Sequence, residues 1–259
     1  MSDSFAESLA RRDRALTLAG LVVLTVLAWL YLFRLGREMA DMAEMGMAHT
    51  EPWTVTDAGL AAVMWAVMMV AMMLPAAAPM ILVFATVNRK RREAPGTAPY
   101  VNTTLFVLAY LVVWGAFSAA AGLAQWGLHS AVLLSEDAMQ AAPLAGGLLL
   151  AAAGIYQLTP LKYACLARCQ TPIGFLLSEW RDGNRGAFVM GLRHGLFCLG
   201  CCWVLMTLLF VGGVMNLVWV AAIAAFVLLE KLLPAGRLVS VISGGTLLVW
   251  AAWALFQVF

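Results

Sequence analysis

Long apolar stretches separated by short polar segments run along most of the chain. A helix needs roughly 20 mainly apolar residues to cross a membrane, and seven stretches reach or approach that length. They cover residues 15–33, 58–87, 101–128, 141–159, 193–211, 214–229 and 238–259. The sixth is short, and the Gly212–Gly213 pair before it leaves only a tight turn. The pattern predicts an all-α fold, a polytopic transmembrane helix bundle with about seven spans.

The composition supports a membrane environment. Hydrophobic residues make up 63% of the 259 residues and charged residues only 12%, and the mean hydropathy is +0.89. A soluble domain carries about twice that charged fraction. Most of the surface is therefore expected to contact its partner, the lipid bilayer. The net charge of +2 is small, and the basic residues are spread along the chain, which argues against a nucleic-acid partner.

The placement of basic residues predicts the orientation. Positive residues near span ends stay in the cytoplasm. With a cytoplasmic N-terminus, fourteen of the 16 Lys and Arg residues fall on the cytoplasmic side, and only Arg34 and Arg37 fall outside. The C-terminus is then outside. Residues 1–14 are predicted to be a cytoplasmic tail, and residues 15–259 a single transmembrane domain with an outer loop at 34–57 and an inner loop at 161–192.

All five cysteines lie between positions 165 and 202. In the predicted topology they are at the cytoplasmic side, where thiols stay reduced. On a helix, His194, Cys198, Cys201 and Cys202 share a face about 100° wide. This donor set suits Cu(I) or zinc. Cysteine also helps transmembrane helices to pack, so a packing role remains open.

A second pair of thiols lies in the predicted inner loop. Cys165 and Cys169 are four residues apart, so they meet if that segment is helical. Further along the chain, Glu230 and Lys231 end the sixth apolar stretch and predict an interfacial ion pair.

The 15 methionines form two groups. In the outer loop, four of them precede a histidine, at Met39, Met42, Met45, Met47 and His49. In the second span, Met64, Met68 and Met72 share a face and are predicted metal ligands, while Met69 and Met73 form a neighbouring row. Both groups have a second interpretation, an interfacial helix for the first and core packing for the second. Pro75 and Pro79 predict a kink in the second span.

Four segments, 65–80, 152–175, 190–206 and 211–236, resemble a family of predicted metal-binding integral membrane proteins. That family includes a member regarded as a copper chaperone for a bacterial tyrosinase, a polyphenol oxidase. The resemblance implies copper handling, with signature positions at Cys165, Cys169, His194, Cys198, Cys201 and Cys202. It also implies the inner membrane of a bacterium and a copper-dependent oxidase as partner. Gln170 stands where other members commonly carry a basic residue.

The sequence thus predicts a non-enzymatic membrane protein that binds Cu(I), in preference to zinc, and delivers it to a copper enzyme. Three alternatives remain open. A copper transporter would use the second-span methionines as a path, although no ATPase domain or intramembrane carboxylate pair drives it. A thiol–disulfide enzyme would use the C-x-x-C spacing of Cys198 and Cys201. A structural membrane subunit would use the cysteines for packing.

Overall fold

The computed structural model describes residues 2–45, 54–93, 103–131, 134 and 140–258. That part of the chain forms ten helices and contains no strand. The helices are α1 (Ser2–Glu44), α2 (Val55–Glu93), α3 (Thr103–Ser130), α4 (Pro143–Gln157), α5 (Pro160–Gln170), α6 (Pro172–Glu179), α7 (Gly183–Thr207), α8 (Leu209–Gly212), α9 (Leu217–Leu232) and α10 (Gly236–Phe256). The predicted all-α fold is confirmed.

Five helical segments of the described chain are long and apolar enough to cross a membrane. They are Arg14–Asp41, Val55–Arg91, Thr103–Ser130, Gly183–Gly212 and Gly236–Phe256. The pair α4 and α5 makes a sixth if it is one span bent by 66°. With 16 residues, α9 is shorter than these segments. The predicted total of seven spans and the orientation remain predictions.

Several predicted boundaries differ from those of the structure. The segment predicted as an inner loop contains α5, α6 and the start of α7, which begins at Gly183 rather than at Arg193. The first helix extends beyond the predicted span in both directions, through most of the tail and into the outer loop. In that loop, Met47 and His49 and the side chain of Met42 lie outside the described residues. The site predicted there therefore remains a prediction.

The break between α4 and α5 has a local cause. Pro160 has no backbone N–H, and a proline disfavours the helical conformation of the residue before it. Thr159 is accordingly extended, with φ −76° and ψ 145°. Its side chain accepts a hydrogen bond from the backbone N–H of Lys162 at 3.3 Å, which caps the new helix. The chain turns here, and α5 packs against α7.

The centre of the bundle is formed by α2 and α7. Of the most apolar part of each helix, 56% is buried in α2 and 61% in α7, compared with 17% in α1 and in α10. Between them lies α3, which packs on both, while α4 packs on α10. The helix of α2 continues through Pro75 and Pro79. After α8, Gly213 makes the tight turn into α9 with φ 88°, a conformation that favours glycine.

Candidate metal centre

One face of α7 carries four buried donor side chains. The exposed fraction is 3% for His194, 1% for Cys198, and 0% for Cys201 and Cys202. The helix is continuous from Gly183 to Thr207, so the predicted sharing of one face follows from its periodicity. A Cβ added at Gly191 would lie 2.3 Å from the carbonyl oxygen of Phe106. The missing side chain therefore allows α3 to approach this part of α7.

Both cysteines of α5 lie against α7. The sulfur of Cys169 is 4.0 Å from the sulfur of Cys201. Cys165 lies beside Gly200, where an added Cβ would be 2.7 Å from the Cys165 sulfur. Cys165 and Cys169 are half-buried, whereas the three cysteines of α7 are fully buried. The five thiols therefore extend from a half-buried edge on α5 to the interior of the bundle.

A methionine of α2 contacts this group of thiols. The thiol sulfur of Cys202 lies 3.9 Å from the thioether sulfur of Met73. The three methionines predicted as ligands, Met64, Met68 and Met72, are buried in the core of the bundle, and their role as ligands remains a prediction. Met73 belongs to the neighbouring row, which lies about 100° around the helix from Met72.

Cys198 is surrounded by polar groups. Its sulfur lies 2.9 Å from the ammonium nitrogen of Lys231 and 3.1 Å from the hydroxyl oxygen of Tyr110. Its carbonyl oxygen accepts hydrogen bonds from the thiols of Cys201 and Cys202, at 3.0 and 2.9 Å. Sequence reasoning missed both Lys231 and Tyr110. A charged residue at the end of an apolar stretch could have marked Lys231 as a site residue, while nothing in the sequence distinguishes Tyr110.

The predicted ion pair between Glu230 and Lys231 is wrong, because Glu230 pairs with Lys162 instead. The carboxylate of Glu230 accepts from Lys162 at 2.7 Å and from the hydroxyl of Ser240 at 2.6 Å. The amide of Gln170 donates to the carbonyl oxygens of Glu230 and Leu233, at 2.8 and 3.0 Å. Both ends of α5 are thus fastened to the end of α9, which holds the α5 cysteines over α7.

His194 sits in an aromatic pocket. Its ring stacks with Phe106 and Tyr110, at centroid distances of 6.0 and 5.7 Å, and meets the edge of Phe175 at 5.7 Å. Its Nδ1 atom is buried and has no hydrogen-bond partner among the described residues. A buried polar atom normally has one. This nitrogen is therefore available as a ligand, one helical turn from Cys198.

Two contacts between sulfur atoms are short enough for one ion to bridge them. With metal–sulfur bonds of about 2.3 Å, the separations of 4.0 Å (Cys169 to Cys201) and 3.9 Å (Cys202 to Met73) each correspond to an S–metal–S angle of about 120°. Among the described side chains, no three His, Cys, Asp or Glu groups converge on one point. A structural zinc site needs four ligands. The pairs fit a soft metal ion of low coordination number.

A family model for copper chaperones, PpoB2, matches residues 62–254, well over half of the 259-residue chain. The chain belongs to the PpoB2 family of copper chaperones. The family resemblance inferred from the sequence segments is confirmed. Comparison with curated proteins and with solved structures found no match.

Membership of the PpoB2 family indicates a copper-handling role and favours a function other than catalysis. The matched region begins within α2 and ends within α10. It therefore contains both sulfur pairs, His194 and the polar groups around Cys198, while α1 lies before it.

Proposed function

We propose that this protein is a membrane-embedded Cu(I) chaperone, which holds copper between paired sulfur atoms and passes it to a copper-dependent enzyme. The observation that carries the proposal is the pair formed by Cys169 of α5 and Cys201 of α7. Soft thiolate and thioether ligands select Cu(I). The family match supports the same cargo.

Release of copper follows from the low coordination number. An ion held by two or three sulfurs has room for an incoming ligand to bind before an old one leaves. Four thiolates around one ion would block that exchange. The half-buried Cys165 and Cys169 are the cluster thiols nearest the surface, so α5 is the side from which a recipient's ligand approaches.

The proposal includes the location and the recipient. The N-terminus and α5 lie on the cytoplasmic side of a bacterial inner membrane, where thiols remain reduced, and the C-terminus lies outside. Arg168, Arg181 and Arg185, close to the α5 cysteines in the chain, are basic residues that the positive-inside rule places there. The recipient is a copper oxidase of the tyrosinase type, as the resemblance implies.

The test is Cu(I) binding by the full chain in detergent micelles, under reducing and anaerobic conditions, against a competing Cu(I) chelator. The protein is compared with the Cys169→Ser/Cys201→Ser variant, and Zn²⁺ is titrated in parallel. We expect about one Cu(I) per sulfur pair, weak Zn²⁺ binding, and loss of the tightest Cu(I) in the variant. Circular dichroism and gel filtration check that the variant is folded. Equal Cu(I) retention by the two proteins would contradict the proposal.

Delivery is tested separately. In one arrangement a dialysis membrane separates the copper-loaded chaperone from a copper-free oxidase. In the other, the two proteins are mixed directly. Activation of the oxidase only in direct contact supports transfer by ligand exchange. Equal activation in both arrangements indicates release of free copper and contradicts the role of chaperone.

A further inference from the structure

Two contacts fix the register between α2 and α7. The rings of Trp65 and Phe210 have centroids 5.3 Å apart, and the sulfurs of Met73 and Cys202 are 3.9 Å apart. Met73 follows Trp65 by eight positions on α2, and Phe210, in α8, follows Cys202 of α7 by eight positions. Leu208, between α7 and α8, keeps a helical backbone with φ −66° and ψ −13°, so α7 and α8 continue one line. This line and α2 therefore run antiparallel, and the two contacts lie about 12 Å apart along each helix axis.

The midpoint of this stretch is occupied by a methionine on each helix. Met69 lies four residues from both Trp65 and Met73, and Met206 lies four residues from both Cys202 and Phe210. Residues four apart form one ridge on a helix surface. Both ends of this stretch are in side-chain contact, so the spacing brings Met69 and Met206 to the same level of the two helices. Both are fully buried, with 1% and 0% exposure.

We propose that Met69, Met73 and Met206 form a second Cu(I) site, here called the thioether site. This inference rests on the proposed function, since it adds a step before the thiol pairs. Thioethers are neutral soft ligands that bind Cu(I) without releasing a proton and exclude harder ions such as Mg²⁺ and Ca²⁺. The thioether site is therefore a weaker, selective site in the half of the bundle that is remote from α5.

The thioether site adjoins the thiols directly. Met73 belongs to it and also contacts Cys202. The sulfur donors change along the bundle from thioethers at Met69 and Met206, to a mixed pair at Met73 and Cys202, to the thiol pair at Cys169 and Cys201. Cu(I) moves along this series by exchange of one sulfur at a time, with no change of oxidation state, and each thiol releases its proton when it binds the ion as a thiolate. Thiolates bind it more strongly, so the series directs the ion toward α5.

The experiment replaces the thioethers and keeps the side-chain volume. In the Met69→Leu/Met206→Leu variant, leucine fills the same space, and such exchanges are well tolerated in cores. Leucine has no sulfur and cannot bind the ion. The control is Met190→Leu, a fully buried methionine of α7 outside the series. The full chain in micelles is titrated with Cu(I) against chelators of graded strength, and the rate at which the thiols fill is followed by stopped flow.

We expect the double variant to lose about one weakly held Cu(I) per chain and to fill its thiols at least about tenfold more slowly. The control matches the unsubstituted protein, and the tightest Cu(I) is kept. Unchanged stoichiometry and rate would overturn the thioether site and leave methionine as packing. Loss of the tightest ion only in Cys169→Ser/Cys201→Ser tests the proposed function independently. If the double variant is unstable, Met206→Leu alone is measured with the same expected directions.

Discussion

The ammonium nitrogen of Lys231 lies 2.9 Å from the thiol sulfur of Cys198, and both side chains are buried. A buried charge is costly unless an opposite charge lies next to it. Cu(I) bound to two thiolates carries one net negative charge, and a single ammonium neutralises it. On the proposed function, Lys231 therefore stabilises the copper-loaded form of the thiols.

Replacing Lys231 by methionine is expected to weaken Cu(I) binding. The ammonium hydrogen-bonds to Cys198, beside the Cys169–Cys201 pair, and acts on that pair through its charge, so the affinity of the tightest Cu(I) should fall by about tenfold. Chelator competition measures the change. Lys231→Arg retains the charge and should lose less. Equal binding by Lys231→Met would show that the ammonium does not balance the thiolates, and tighter binding would show that it repels the ion.

Breaking the buried ion pair of α5 should destabilise the protein. Lys162 and Glu230 have side-chain exposures of 0% and 1%, and the loss of one partner leaves the other charge buried alone. The expected decrease in the free energy of unfolding for Lys162→Met is about 3–5 kcal/mol. Denaturant unfolding in micelles measures it, and Lys162→Met/Glu230→Gln should recover much of the loss.

The matched control for that measurement is an ion pair on the surface. Arg193 pairs with Glu179 and its side chain is 44% exposed. Exposed pairs contribute about 1 kcal/mol or less, so Arg193→Gln should change the unfolding free energy little. A similar loss in Lys162→Met and Arg193→Gln would mean that the Lys162–Glu230 pair is not buried in solution.

A methyl group at Gly200 should disturb the thiols of α5. The added Cβ would lie 2.7 Å from the Cys165 sulfur. We expect α5 to move away from α7 and the distance from Cys169 to Cys201 to increase, unless the Cys165 side chain rotates out of the way. Overpacking costs about 1–3 kcal/mol, and Cu(I) affinity should fall by about tenfold or more. Chelator competition compares it with Gly115→Ala, where an added Cβ meets nothing within 4 Å. Equal affinity in the two variants would show that Cys165 yields without moving α5.

The topology can be tested with reporter fusions. Alkaline phosphatase is active only outside the cytoplasm, whereas green fluorescent protein is fluorescent inside. With seven spans, a fusion after Val214 is exported, one after Pro234 is cytoplasmic, and one after Phe259 is exported. The fusion after Pro234 decides whether the 16-residue α9 crosses the membrane. Phosphatase activity at both Val214 and Pro234 would show that α9 stays on one side.

The sequence predicts well what lies on a single helix. Apolar length predicted the helical class, and a period of 3.6 residues placed His194 beside Cys198, Cys201 and Cys202 on one buried face. The spacing of four between Cys165 and Cys169 predicted a shared helix face, and both residues lie in α5. These features depend on local geometry, which the order of residues determines.

Relations between helices were not available from that pattern. Periodicity gives the angle between Met72 and Met73, but not which of them α2 turns toward α7, because that rotation depends on the packing of every neighbouring helix. The contact of Lys231 with Cys198 joins residues 33 positions apart, and the pairing of Glu230 with Lys162 joins residues 68 apart. In the chain, Glu230 stands next to Lys231, and only the docking of α5 shows which lysine it binds.

The fastening of α5 to α9 also orders events during synthesis. The ribosome makes Lys162 and Gln170 before α7 and α8, and it makes Glu230 and Leu233 after them. Until α9 has been inserted, neither end of α5 has the partner that holds it in place. A nascent chain therefore exposes separate thiols, and a finished chain presents a pair. On the proposed function, copper capture thus becomes a late step of biogenesis, one that awaits a fully translated and assembled molecule.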